Sequence, residues 1–267
     1  PNWFYLPVYK NGRFKPWQVR LGLILYRLLA GRKNLAGYRR LPRSEWAQLE
    51  GLNTSNLDCV FLYQDAQTDD KLLTQRVVDS ARQHGATLLC PTKFLTAERC
   101  DEGYLVTVAE NDGITTLKCR RLVNAAGPWV NRVAETIDPK PPTIDVDLVK
   151  GTHIEFSEKL SERCFYLEAQ QDHRAVFVLP HKGGTLLGTT EILFDGNPDG
   201  VSPSSEEVDY LLEIVRYQFP HFNHHPINAW AGLRVLPSND KSPFNRSREV
   251  QFAEGDNYLA VYGGKLT

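Results

Sequence analysis

The stretch Leu122-Val-Asn-Ala-Ala-Gly-Pro-Trp-Val-Asn-Arg-Val-Ala134 limits the fold more than any other. An apolar strand pattern runs into small residues, and these run into a helix pattern entered through Pro128. Proline suits such an entry because its φ is already set for a first helical turn. Small residues at a strand end let another backbone, or a ligand, approach closely. By itself this succession names no fold, because strand–glycine turns abound. The ledge Asn124-Ala-Ala-Gly-Pro-Trp129 suits a flat or phosphorylated ligand.

Composition narrows the setting. The 267 residues are 42% hydrophobic, enough for a sizeable core, so a mainly disordered state is excluded. Lys and Arg number 31 against 32 Asp and Glu, which excludes a general basic surface for nucleic acid. The length fits one large domain or two intimate ones. The five cysteines form no CxxC and no zinc-finger spacing, so free thiols in a reducing compartment are expected. No apolar run is long enough to span a bilayer. Methionine is absent and the chain opens at Pro1, which predicts a piece of a longer protein.

The pattern predicts a helix from Lys15 to Ala30, with Trp17, Leu21, Ile24 and Leu28 as its apolar stripe and Arg20 and Arg27 beside it. Such a helix either lies on an anionic membrane or packs on its own domain. Ser44–Glu50 reads as a short capped helix. Thr68 reads as the N-cap of a longer helix closed by Gly85. Ala86–Cys90 reads as a strand, and Gly103–Val108 and Ile114–Cys119 as a hairpin around Asn111-Asp-Gly113. Further strands are expected at Val146–Phe156, Ala175–Leu179 and Gly183–Thr190. Ser204 with Glu207 signals a capping box for a helix ending near Phe219.

Two more places gather chemistry. Arg234, Arg248 and Lys265 each stand near a turn or strand end. Converging, they would hold a phosphate or carboxylate; apart, they are surface charge. His153, in Lys150-Gly-Thr-His153, is either an acid–base group or structural. His221, His224 and His225 have helical metal-ligand spacing, but Pro220 and Pro226 bracket them and favour a solvated loop. The chain contains no GxSxG, HExxH, Walker loop or GxGxxG.

Five motifs follow in order: Leu122–Val130, Leu148-Val-Lys-Gly-Thr-His-Ile154, Leu187-Gly-Thr-Thr-Glu191, Gly232-Leu-Arg234 and Gly263-Gly-Lys-Leu-Thr267. Together they resemble the FAD-dependent glycerol-3-phosphate dehydrogenase family over nearly the whole chain. The resemblance implies an α/β fold, part of a glutathione-reductase-type FAD domain with a substrate cap built on an antiparallel sheet. It assigns 1–53 and 138–226 to the cap, and 54–137 and 227–267 to the FAD domain. The family's N-terminal GxGxxG segment and helical C-terminal domain have no counterpart here.

By that resemblance FAD is the cofactor, lined by Phe94, Ala125, Ala126, Gly127, Trp129, Gly232, Gly263, Gly264, Lys265, Leu266 and Thr267. His153, Arg234, Arg248 and Lys265 face the substrate, with His153 the first choice of base and Arg234 the alternative. The implied reaction oxidises sn-glycerol 3-phosphate to dihydroxyacetone phosphate by hydride transfer, with a membrane quinone as final acceptor. The implied location is the cytoplasmic face of the inner membrane, as a peripheral protein; a homodimer stays open. Two departures stand out: Val235 follows Arg234 where the family has proline, and Glu191 replaces a common aspartate. The rival readings are a glycerol-3-phosphate oxidase, an amine or amino-acid oxidase of the same superfamily, and a non-catalytic binding module without FAD.

Overall fold

The computed structural model describes residues 2–29, 37–110, 113–238 and 249–264. The chain divides into two compact units. The first comprises 1–67, 151–190 and 202–232; the second comprises 68–150, 191–201 and 233–267. The strands Val146–Phe156 and Asn228–Pro237 pair with each other, and the division falls within both.

The first unit is built on a sheet covered on both faces. From residues 151–156 its strands run Gly184–Gly188, Ala175–His181, Cys164–Glu168, Asn2–Tyr9, Leu57–Asp65 and Arg39–Leu41. Neighbours are antiparallel except Asn2–Tyr9 with Cys164–Glu168, which are parallel. Strand side chains alternate between faces, and the alternation sorts two cores. Val60, Leu62, Phe165, Leu167, Val176, Val178, Ile154 and Phe156 point to one, where the helix Ser205–Gln218 buries Leu211, Ile214 and Val215. Cys59, Phe61, Tyr63, Phe4 and Val8 point to the other, where the helix Pro16–Leu29 docks.

For that second helix the sequence left two orientations open. The helix buries Leu23, with Val19 packed beside it. The expected stripe faces outward: Trp17 is 66% exposed and Leu28 69%, with Leu21 and Ile24 also exposed. Leu23 and Val19, not the stripe the pattern picks out, thus form the docking side of the helix.

The capping box forms as expected: the Ser204 hydroxyl accepts from the Glu207 N–H, and the Glu207 carboxylate accepts from the Ser204 N–H. Arg43–Leu49 is a 3₁₀ helix rather than an α-helix, and Pro42 before it makes no side-chain cap.

The second unit holds two smaller sheets. One runs Gly113–Cys119, Gly103–Glu110, Lys93–Cys100, Ile137–Asp138. Its hairpin closes with Glu110 opposite Gly113, and the expected Asn111-Asp turn lies outside the described residues. The other runs Gln251–Gly255, Tyr258–Tyr262, Leu122–Asn124. A core of Ala97, Tyr104, Val106, Val130, Ile137, Ala260 and Tyr262 joins them. Ile192–Phe194 pairs with residues 148–150.

The helix Asp70–Gln83 is capped by Asp69, whose carboxylate accepts from the Leu72 N–H, and not by Thr68. Ala86–Cys90 is not a strand but an exposed connection, with no ladder partner among the described residues. An apolar run becomes a strand only where another strand pairs its backbone groups.

Candidate functional site

In the second unit the chemistry is carried by backbone at the ends of two paired strands. Leu122–Asn124 ends at the buried Asn124. Its amide nitrogen donates to the Val130 carbonyl at 2.8 Å and to the Tyr258 hydroxyl at 3.0 Å. Its amide oxygen accepts from the Ala126 N–H at 3.2 Å. These bonds fold the chain into the ledge Ala125–Gly127. Burial pushes the Tyr258 hydroxyl above its ordinary pKa, which keeps it a neutral acceptor for Asn124.

Gly127 has φ 54°, a region that favours glycine, and nothing lies within 4 Å of where a Cβ would stand. The turn Gly127–Trp129 carries Pro128 and leads into the helix Val130–Glu135. The Trp129 indole N–H donates to Asp199 at 2.9 Å.

The neighbouring strand Tyr258–Tyr262 runs parallel to 122–124, with Tyr258 opposite Leu122 and Ala260 opposite Asn124. It ends in Gly263 (φ 69°) and Gly264 (φ 98°). Because the pair is parallel, both glycine-bearing exits leave from the carboxyl end of the strands. Open α/β sheets bind ligands there. A Cβ on Gly264 would stand 3.3 Å from the Val250 side chain, a tight contact added to a backbone conformation that favours glycine. A flat cofactor approached by bare backbone fits these residues.

The other predicted residues of this unit have separate places. The Arg234 guanidinium lies 3.7 Å from the Glu191 carboxylate, whose side chain is only 10% exposed. This makes Arg234 a held cation; a guanidinium does not deprotonate in proteins, so Arg234 is no base. Phe94 packs against the core of this unit.

In the first unit the chemistry is carried by side chains. His153 stands on the sheet face opposite the inward Ile154. Gly188 is its register partner, and a Cβ there would meet the imidazole Cδ2 at 2.2 Å. The Trp230 indole stacks on the imidazole, with ring centroids 4.3 Å apart and planes at 14°. Glu155, two residues on, lies 3.4 Å from His181 and accepts from the Asn228 side chain at 3.2 Å. Beneath, the Thr152 N–H donates to the Thr190 hydroxyl at 2.8 Å, and that hydroxyl donates to the buried Glu207 at 2.6 Å. Gly232 is exposed on the strand after Trp230.

Arg248, Lys265, Leu266 and Thr267 lie outside the described residues. The sequence pattern assigned no role to Gly188, Thr190 and Trp230, and marked Glu207 only as the capping-box partner of Ser204. The first two lie within a quoted motif, Leu187–Glu191, and Trp230 directly precedes Ala-Gly-Leu-Arg234, so proximity to the motifs was the available signal. Among the described residues no group of three or more His, Cys, Asp and Glu could hold a metal.

A parallel strand pair ending in glycine turns defines a cofactor-binding α/β protein, and the chain also carries a stacked histidine on a mostly antiparallel sheet. The chain belongs to the FAD dependent oxidoreductase family, whose model matches residues 1–265. FAD is the cofactor of that family. The chain is 35% identical over its whole length to D-erythritol 1-phosphate dehydrogenase of Brucella abortus, covering 55% of that protein. It is 30% identical over its whole length to aerobic glycerol-3-phosphate dehydrogenase of Staphylococcus haemolyticus, covering 50% of it. The FAD complex of glycerol-3-phosphate dehydrogenase from Bacillus halodurans superposes with a TM-score of 0.78 at 25% identity, over 99% of this chain and 48% of that one. The chain thus spans about half the length of the curated relatives it matches.

Proposed function

We propose that this chain forms the substrate cap and part of the flavin site of an enzyme that oxidises sn-glycerol 3-phosphate to dihydroxyacetone phosphate, with a membrane quinone as final acceptor. The observation that carries this reading is the pair of glycine-bearing strand ends, Ala125–Gly127 and Gly263–Gly264, in a chain similar to polyol-phosphate dehydrogenases. FAD, when bound, supplies the two-electron acceptor for the hydride from substrate C2. The His153 imidazole takes the C2 hydroxyl proton. Arg234, held by Glu191, contributes positive charge toward the phosphate, with Arg248 and Lys265 assigned the same task. The glycine turns admit the cofactor by leaving room that a side chain would take.

A second reading, oxidation of the four-carbon D-erythritol 1-phosphate, is favoured by the 35% identity to that dehydrogenase. Anaerobic mixing of the full-length, FAD-loaded protein with each substrate separates the two. Glycerol 3-phosphate should remove the visible flavin absorbance at a higher kcat/KM than erythritol 1-phosphate. The reverse order supports the second reading, and retained absorbance with both overturns the polyol-phosphate assignment.

The helix Pro16–Leu29 supports a peripheral membrane contact: it presents Trp17, Leu21, Leu25 and Leu28 outward, with Arg20 and Arg27 on the same element. No helix among the described residues is long and apolar enough to cross a membrane. Full-length protein should co-sediment with vesicles rich in anionic lipid, and L25D/L28D should weaken this about tenfold or more. Equal sedimentation of both proteins would remove the contact from this helix.

A further inference from the structure

We propose that Trp230 and Gly188 form a clamp that holds the His153 imidazole in one orientation for proton transfer from the substrate hydroxyl, Trp230 acting as a positioning residue. The proposal rests on the reading of His153 as the base. Three strands converge on the ring. Gly188 is opposite His153 in the ladder, and the ring fills the volume a side chain at 188 would need: a Cβ would lie 2.2 Å from Cδ2 and 2.7 Å from Nε2. Trp230 stacks on it at 4.3 Å and 14°.

The clamp is anchored at both ends. The Ile227 N–H donates to the Glu155 carbonyl at 2.8 Å, and the Asn228 amide reaches the Glu155 carboxylate. This fixes the strand carrying Trp230 to the strand carrying His153. The backbone just before His153 is held from the other side by Thr190, itself held by the buried Glu207.

Core packing does not account for Trp230, since 41% of it stays exposed. An indole buried for stability alone would sit in one of the two cores; this one lies open, with a ring face laid on an imidazole. An unclamped histidine on a sheet surface samples several staggered rotamers. A proton acceptor displaced by about 1 Å loses rate on the order of a hundredfold.

The test uses the full-length, FAD-loaded enzyme with sn-glycerol 3-phosphate and the variants W230A, W230F and H153N. W230A should lower kcat about tenfold or more while KM moves less than about threefold, and W230F should restore most of the loss. Independently of turnover, the ring protons of isotope-labelled His153 should show the upfield shift of a stacked aromatic in the parent and W230F. That shift should vanish in W230A. W230A at the parent kcat with H153N inactive overturns the clamp alone. H153N at the parent rate overturns the reading of His153 as base, and the clamp's catalytic purpose with it. Equal loss of kcat and melting temperature in W230A and W230F assigns the indole to stability and also overturns the proposal.

Discussion

The two units solve the problem of building a site in opposite ways. In the first, the sheet is closed on both faces, and the helix Ser205–Gln218 buries Glu207, Leu211, Ile214, Val215 and Gln218. Its candidate chemistry is made of side chains, the imidazole of His153 and the groups around it. In the second, the helix Asp70–Gln83 buries none of its residues and the strand Gly113–Cys119 is almost wholly exposed. Its candidate chemistry is made of backbone, the glycine exits of two parallel strands. A side-chain site needs a dense scaffold, because every rotamer depends on its neighbours. A backbone site needs correct register and permissive φ values, which a small sheet can supply.

The largest expected contrast is in packing. Leu187→Ala in the first unit, at a fully buried position, should cost about 2–5 kcal/mol in denaturant unfolding. Val77→Ala in the second, 61% exposed, should stay within about 0.5 kcal/mol. Similar losses would erase the distinction. Next comes Glu207→Ala, which removes half a capping box and strands the Thr190 hydroxyl; a loss of about 1–3 kcal/mol is expected. Gly127→Ala sharpens the other side: strain at φ 54° should cost roughly 1–2 kcal/mol. It should also weaken FAD retention in the full-length protein, measured by flavin release on dilution. Unchanged retention would take the ledge out of the cofactor site.

A last contrast is alkaline. Burial pushes the Cys164 thiol up to about 11 from 9.0, and raises Tyr9, Tyr63 and Tyr210 in the same direction. The folded state therefore keeps protons that the unfolded chain gives up first. The resulting stability is fully present below pH 9 and drains away as pH rises through 11. Melting temperatures across that window check it, and Cys164→Ala should flatten part of the slope.

Local features were legible in the sequence where their causes are local. The Ser204–Glu207 box, Pro128 at the turn and Gly85 after its helix each act within a few residues, and each stands where the pattern puts it. Ala86–Cys90 was misread because an apolar run does not say whether a partner strand exists. The stripe on Pro16–Leu29 was found, but its direction depends on what the sheet face leaves free. The Trp230 stack joins residues 77 positions apart, brought together by strand pairing, and no periodicity reports that. The ledge at Ala125–Gly127 was legible as small residues; that Tyr258–Tyr262 pairs with the strand before it was not, because parallel partners lie far apart in the chain.

Asn124 carries a consequence for which substitutions this chain could survive. One planar group there gives hydrogens to two oxygens and receives one from a backbone amide. Aspartate copies its outline but has no hydrogen to give when ionised, and leucine copies its bulk with neither capacity. Serine can do both but is too short to span three partners at once. The shape of the ledge is thus written in a single carboxamide, and the alphabet of amino acids offers almost no synonym for it.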